Sequence, residues 1–246
     1  MGKLAIIGGT GLSSFDGLNI IERLSMTTPF GEPSSDVLLA EFDGKQVLFL
    51  PRHGSNHTIP PHKINYRANI WALHELGVDK IIAVAAVGGI RDDLHPSVLA
   101  VPDQIIDYTY GREQSFYSDN FTADKHIDFS YPYDETLRQK LLQVGLQQKV
   151  TIVDGGTYGA TQGPRLETAA EIKRMDQDGC AMVGMTGMPE AALARELNIA
   201  YATCALMVNW AAGLSDSLIT MEQIEQTLAG GMSQVKLILA ELIRSQ

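Results

Sequence analysis

Cysteine is nearly missing from the 246 residues: Cys180 and Cys204 stand alone, each in apolar surroundings and without metal-type spacing. That excludes a disulfide framework, and reduced, buried thiols in a cytoplasmic protein are expected. Positive charge is also in short supply. Nineteen Lys and Arg against 29 Asp and Glu give a net charge of −10. This argues against broad binding to nucleic acid or an anionic membrane, while leaving room for a small anion in a local pocket. No apolar run approaches the roughly 18 residues of a membrane-spanning helix. No basic start with a signal-type apolar stretch precedes the first strand, which begins at Leu4. The glycines fit neither G-x-G-x-x-G nor a P-loop, so dinucleotide and NTP binding lose their main support. With no internal repeat and no low-complexity linker, residues 1–246 read as one α/β domain.

What is present is an alternation of short apolar runs and amphipathic stretches, the grammar of a largely parallel sheet wrapped by helices. The organising run is AYATCALMVN at 200–209, read as a strand buried on both faces. It brings Asn209, followed by Trp210 and Ala211, to a carboxyl strand end, where such sheets bind ligands. The plainer reading is an Asn that turns the chain. Residues 3–8 form another strand, running into Gly8-Gly9-Thr10-Gly11. The backbone N–H groups there and the Thr10 hydroxyl suit an anion, or simply make a tight turn. Residues 37–42 and 45–50 flank the hairpin signal Asp43-Gly44. The second of these strands delivers Arg52 and His53 to its end, a bidentate fork plus a second donor suited to a phosphate dianion. His53, His57 and His62 make no metal set, because Pro60 and Pro61 break any helix aligning them and no Glu or Cys completes one.

The spacing predicts a helix over 65–76 ended by Gly77, a buried strand over 80–87 and another over 98–108. A polar, aromatic-rich loop spans 109–133, a length usually functional or an interface. Beyond it come a helix over 134–147, a strand and glycine turn over 151–161, and a helix opened by the Thr168/Glu171 capping box. Glu167, at that helix start, is favoured as a carboxylate, and a simple dipole partner is the plainer role. A strand over 181–185 leads to Thr186, placed before a helix opened by Pro189, where a hydroxyl serves an anion or a cap. Residues 221–243 close as an amphipathic helix, broken or bent near Gly230-Gly231.

Six segments together resemble one family: IIGGTGL at 6–12, TPFGEPS at 28–34, RHGSNHTIPPHKINYRANIWAL at 52–73, QSFY at 114–117, GPRLET at 163–168 and GMTGMPEAALARE at 184–196. They are similar to the trimeric purine nucleoside phosphorylases and methylthioadenosine phosphorylases, over nearly the whole chain. The resemblance implies a single domain with a central mixed, largely parallel sheet flanked by helices, the nucleoside phosphorylase fold. It implies that Thr10, Arg52, His53, Thr186 and the Ala86 backbone hold phosphate, that Met185 packs under the ribose, and that Asn209 and Glu167 face the base with Trp210 and Ala211 nearby. Ala85 departs from a family position usually held by Thr or Asn, so one contact is missing. The acids that adenine-using members carry at the positions of Asn209 and Ala211 are gone. An Asn amide can donate to N7 and to a 6-oxo group, and a Glu167 carboxylate can accept from N1–H. Met221, where 6-oxopurine enzymes have a His, makes the 5′ end apolar with Ile224. His126 aligns with a residue reaching in from a neighbouring subunit. The combination implies phosphorolysis of 5′-methylthioinosine to hypoxanthine and 5-methylthioribose 1-phosphate. Methylthioadenosine cleavage, general 6-oxopurine phosphorolysis and non-catalytic nucleoside binding are the alternatives. Phosphate is a co-substrate, no metal or organic cofactor is implied, and a homotrimer is expected, with pairing into a hexamer open.

Overall fold

In the computed structural model, which describes residues 3–9, 12 and 17–246, β1 (Lys3–Gly8) lies parallel to and between β4 (Lys45–Pro51) and β5 (Val78–Gly89). On the β4 side, β3 (Val37–Phe42) and then β2 (Asn19–Leu24) add on as antiparallel neighbours. The β3–β4 turn places Asp43 and Gly44 at positive φ, as the Asp-Gly signal predicts. β5 is where the sheet divides. It pairs in parallel with β11 (Ala200–Trp210) from Lys80 onward, and its last residues also pair antiparallel with β10 (Cys180–Gly184). From β10 the sheet continues through β9 (Thr157–Ala160) to β7 (Gln104–Asp107); from β11 it continues through β6 (Leu99–Val101) to β8 (Ile152–Asp154). Among the described residues these eleven strands form one mixed sheet.

Helices cover both faces. Helix α1 (Tyr66–Glu75) and helix α4 (Gly187–Glu196) pack on one side, while α2 (Glu135–Gln148) and α5 (Met221–Arg244) pack on the other. Strand β11 shows why its sequence is a continuous apolar run. Tyr201, Ala205 and Met207 join the core with Ile70 of α1 and Leu193 of α4. Ala202, Cys204 and Leu206 join the core with Leu141 of α2 and Leu239 of α5. With both faces covered there is no polar alternation to see, and each fully buried large apolar side chain contributes on the order of 1.5–3 kcal/mol. Helix α3 (Ala169–Gln177) lies against β10, closed at its start by the expected reciprocal Thr168–Glu171 capping box. Both cysteines are free and buried, and burial pushes the Cys204 thiol up to about 12.

Three expectations need correction. The single strand over 151–161 is two, β8 beside β6 and β9 beside β10, divided at Gly155 and Gly156, both at positive φ. The predicted 98–108 strand is two strands on different branches of the sheet, β6 beside β11 and β7 beside β9. Pro102 separates them because it cannot donate a ladder hydrogen bond; its carbonyl accepts from the buried Arg138 instead. Helix α5 runs unbroken through Gly230 and Gly231. A Cβ on Gly231 would sit 2.5 Å from Cδ1 of Leu206, so that glycine marks where α5 comes closest to β11, not a break. The 109–133 loop stays irregular apart from one short turn of 3-10 helix at Ala123–Lys125.

Candidate active site

The carboxyl ends of β1, β4, β5 and β11 converge with the β10–α4 turn on a cavity of about 580 Å³. This is where sheets of this kind bind ligands. Arg52, His53, Ala86 and Thr186, four of the residues expected to hold phosphate, line it. Ala86 is the one exposed residue in an otherwise buried stretch of β5, because the cavity takes the place of a neighbour. Ala85, on the same strand, is buried and supplies no side-chain donor. Thr186 is buried and precedes α4 without capping it through its side chain, so the helix does not consume the hydroxyl. Thr10 lies outside the described residues.

Arg52 departs from expectation. Its fork is turned onto Glu190: Nε donates to Oε2 at 2.7 Å and Nη2 to Oε1 at 2.8 Å. Nη1 donates to the Val84 carbonyl at 3.0 Å, and Nη2 reaches the Ile7 carbonyl at 3.4 Å. Four of its five N–H groups are therefore engaged inside the protein, and the bidentate geometry meets a carboxylate of the chain itself. The reason is desolvation. Both side chains are buried, and an unpaired guanidinium there would cost far more than the pair does. Tyr201 adds a third hydrogen bond, its hydroxyl donating to Glu190 Oε1 at 2.9 Å. Glu190 was not singled out in the sequence, where it reads as an ordinary first-turn acid of α4.

His53 is half-buried, stacked on His57 with ring centroids 4.5 Å apart. Its Nδ1 lies 2.8 Å from the Ile59 carbonyl, which can only accept, so Nδ1 carries the proton. Burial, assisted by the neighbouring Arg52 and His57, lowers its pKa to about 4. At neutral pH the ring is uncharged, and Nε2 is an acceptor. This wall is thus built around a neutralised ion pair and not a cluster of positive charge, and the expectation of His53 as a second donor is corrected: its N–H is spent on the Ile59 carbonyl and its free ring nitrogen accepts.

Glu167 and Asn209 both reach the same cavity. The Thr161 hydroxyl, another residue the sequence did not point to, donates to Glu167 Oε1 at 2.6 Å. That bond steadies the carboxylate and leaves its second oxygen for a ligand N–H. Asn209 sits just after a bulge: Met207 pairs with Val87 and Asn209 with Gly88, so Val208 is the extra residue. A bulge re-aims side chains, and here Val208 and Asn209, adjacent in the chain, both line the cavity. One Asn209 amide hydrogen is already given to the Trp210 carbonyl at 2.6 Å. The expectation that both amide hydrogens serve the base is therefore corrected to one.

The rest of the cavity is apolar. Met185 and Ala211 line it, as do Met221, Ile224, Leu228 and Met232 from α5 or its start. Met221 is nevertheless 65% exposed, so this wall opens to solvent. Two expected residues are not in the lining. Trp210 contributes its carbonyl to Asn209, and His126 is exposed with its ring edge against Phe121.

Residues 3–244 match the family described as the phosphorylase superfamily. The chain belongs to that family. It is 52% identical over 239 residues, 97% of each chain, to a protein of Pseudomonas syringae pv. tomato named probable S-methyl-5'-thioinosine phosphorylase. It is 42% identical, over 98% of this chain and 92% of the other, to 6-oxopurine nucleoside phosphorylase of Pyrococcus furiosus. Among solved structures, methylthioadenosine phosphorylase from an antarctic soil metagenomic library matches with a TM-score of 0.93 at 34% identity, covering 100% of this chain and 87% of that one. A nucleoside phosphorylase must hold an anion beside a nucleoside, and this cavity joins a polar wall to an apolar one in a single cleft.

Proposed function

We propose that this phosphorylase cleaves S-methyl-5'-thioinosine with inorganic phosphate, releasing hypoxanthine and 5-methylthioribose 1-phosphate. The observation that carries the reading is the chemical split of the cavity. Glu167 and Asn209 offer an acceptor and a donor, while Met221, Ile224, Leu228 and Met232 offer a wall without charge or hydrogen bonds. The first pair suits a 6-oxopurine, whose N1–H would donate to Glu167, a proton that adenine lacks at that position. The second suits a methylthio group better than a 5′-hydroxyl. The Pseudomonas syringae relative bears a name consistent with both.

In this reading phosphate rests among Arg52, His53, Thr186, the Ala86 backbone and Thr10. As the C1′–N9 bond breaks, its electron pair goes to the purine and a phosphate oxygen bonds to C1′. Negative charge grows on the base, and the remaining Asn209 N–H is aimed where that charge develops, which stabilises the transition state more than the substrate. The departing base takes its proton from water. Phosphate is the co-substrate, and the scheme uses no metal and no organic cofactor. Asn209→Ala is expected to lower kcat/KM by roughly 10²-fold, the size typical of removing one such donor.

The same reading includes a cytoplasmic homotrimer, or a pair of trimers, in which a neighbour's His126 approaches the methylthio group. The exposed aromatics Tyr110, Phe121 and Tyr131 of the 109–133 loop fit that role. A fully active monomer in sedimentation would remove it. A second substrate reading, methylthioadenosine, is favoured by the structural likeness to methylthioadenosine phosphorylases. The test is kcat/KM with phosphate for methylthioinosine, methylthioadenosine, inosine and adenosine side by side. Methylthioinosine is expected to lead by about 10²-fold or more; a lead for methylthioadenosine would sink the assignment of Glu167 and Asn209.

A further inference from the structure

We infer that Arg112 is a positioning residue that fixes the phosphate wall against the nucleoside wall; the inference rests on the function proposed above. Arg112 lies in the 109–133 loop, half-buried and outside the cavity lining. Its guanidinium gathers the segments that build the cavity. The two N–H groups of Nη1 are shared among three acceptors, the Met185 carbonyl at 2.9 Å, the Met188 carbonyl at 2.6 Å and the Tyr66 hydroxyl at 3.1 Å. Nη2 donates to the carbonyls of Thr161 and Gln162 at 3.1 and 2.8 Å, and Nε to the Gln162 side-chain oxygen at 3.1 Å.

Each partner belongs to a working part. Met185 and Met188 bracket Thr186, so two carbonyls on either side of the phosphate-facing hydroxyl are pinned to one group. Thr161 is the residue whose hydroxyl steadies Glu167. Tyr66, whose hydroxyl donates onward to the Pro61 carbonyl at 3.0 Å, ties in the 57–61 wall behind His53. The 161–163 and 185–188 segments already touch, since a Cβ on Gly163 would fall 2.5 Å from the Met185 sulfur. Four backbone carbonyls whose negative ends converge repel one another unless a cation sits between them. A planar, five-donor fork can hold all four at fixed angles, and a lysine, with three donors on one nitrogen, cannot. Arg112 touches neither substrate. What it sets is the distance between them, and an error of about 1 Å in that quantity costs on the order of 10² in rate.

The experiment uses the full-length protein with Arg112→Lys and Arg112→Ala, measuring kcat and both KM values per folded molecule alongside thermal unfolding. For Arg112→Lys, kcat is expected to fall roughly 10²-fold, with both KM values within about threefold of the wild type, since each substrate keeps its own contacts. In Arg112→Ala, millimolar guanidinium is expected to restore kcat, and methylammonium is not. A kcat for Arg112→Lys near the wild-type value would overturn the inference. So would losses in both variants that follow the unfolded fraction and show no guanidinium rescue. If the wild type cleaves none of the four nucleosides, the proposed function falls before any variant is compared.

Discussion

Replacing Glu190 with Gln isolates the buried pair in the cavity wall proposed to hold phosphate. Among the ion pairs of the described residues, Arg52–Glu190 is the one with both side chains out of solvent. Removing one partner from such a pair costs about 3–5 kcal/mol, chiefly by leaving the other charge uncompensated. Gln keeps one oxygen for Tyr201 or for the guanidinium, so the low end, about 3 kcal/mol, is the appropriate figure. In a chain of this size that lowers Tm by roughly 6–12 °C. The assay is thermal unfolding in phosphate-free buffer, because a bound anion would restore part of the loss by mass action. Adding Arg52→Met to Glu190→Gln removes the stranded charge. The double variant is expected to recover on the order of 2 kcal/mol of coupling while remaining inactive. A Glu190→Gln Tm within about 2 °C of the wild type would refute the reasoning. It would mean that Arg52 finds solvent or another partner without cost.

His53 predicts an acid-side loss of stability. Its pKa lies near 4 in the folded chain and near 6.5 unfolded, so the unfolded state binds the proton first. Stability on this account is complete above about pH 6.5 and falls as the pH drops toward 4. His53→Asn keeps a donor for the Ile59 carbonyl and removes that slope; parallel urea-unfolding slopes for both proteins across the window would count against it. Gly230 and Gly231 separate helix propensity from packing. A Cβ on Gly230 meets nothing within 4 Å, so Gly230→Ala is expected to gain up to about 1 kcal/mol. Gly231→Ala forces Leu206 aside and is expected to lose about 1–2 kcal/mol net of that gain. Equal effects of the two substitutions in differential scanning calorimetry would mean that α5 does not press on β11.

What was legible in the sequence was local. The Thr168–Glu171 capping box, the Asp43-Gly44 turn and the helix ending before Gly77 each depend on residues a few positions apart. β11 was legible because burial on both faces leaves an uninterrupted apolar run. Gly231 marks the limit of this local reading, since a glycine that breaks a helix and one that lets it approach Leu206 look the same in one dimension. The site has the same difficulty on a larger scale. Arg52 is chemically suited to phosphate and to a carboxylate alike. Which one takes its fork is decided by Glu190, 138 positions away in the chain. Arg112 meets Met185 across 73 positions and Thr161 across 49. Residue types could therefore point to groups that face a ligand, but not to groups whose hydrogen bonds are all spent on other parts of the chain. Such groups show themselves only where the fold gathers distant carbonyls and carboxylates around one cation. A guanidinium with nearly every donor engaged inside the chain is therefore a sign of alignment between segments, and this cavity has a buried one in its wall, Arg52, and a half-buried one behind it, Arg112.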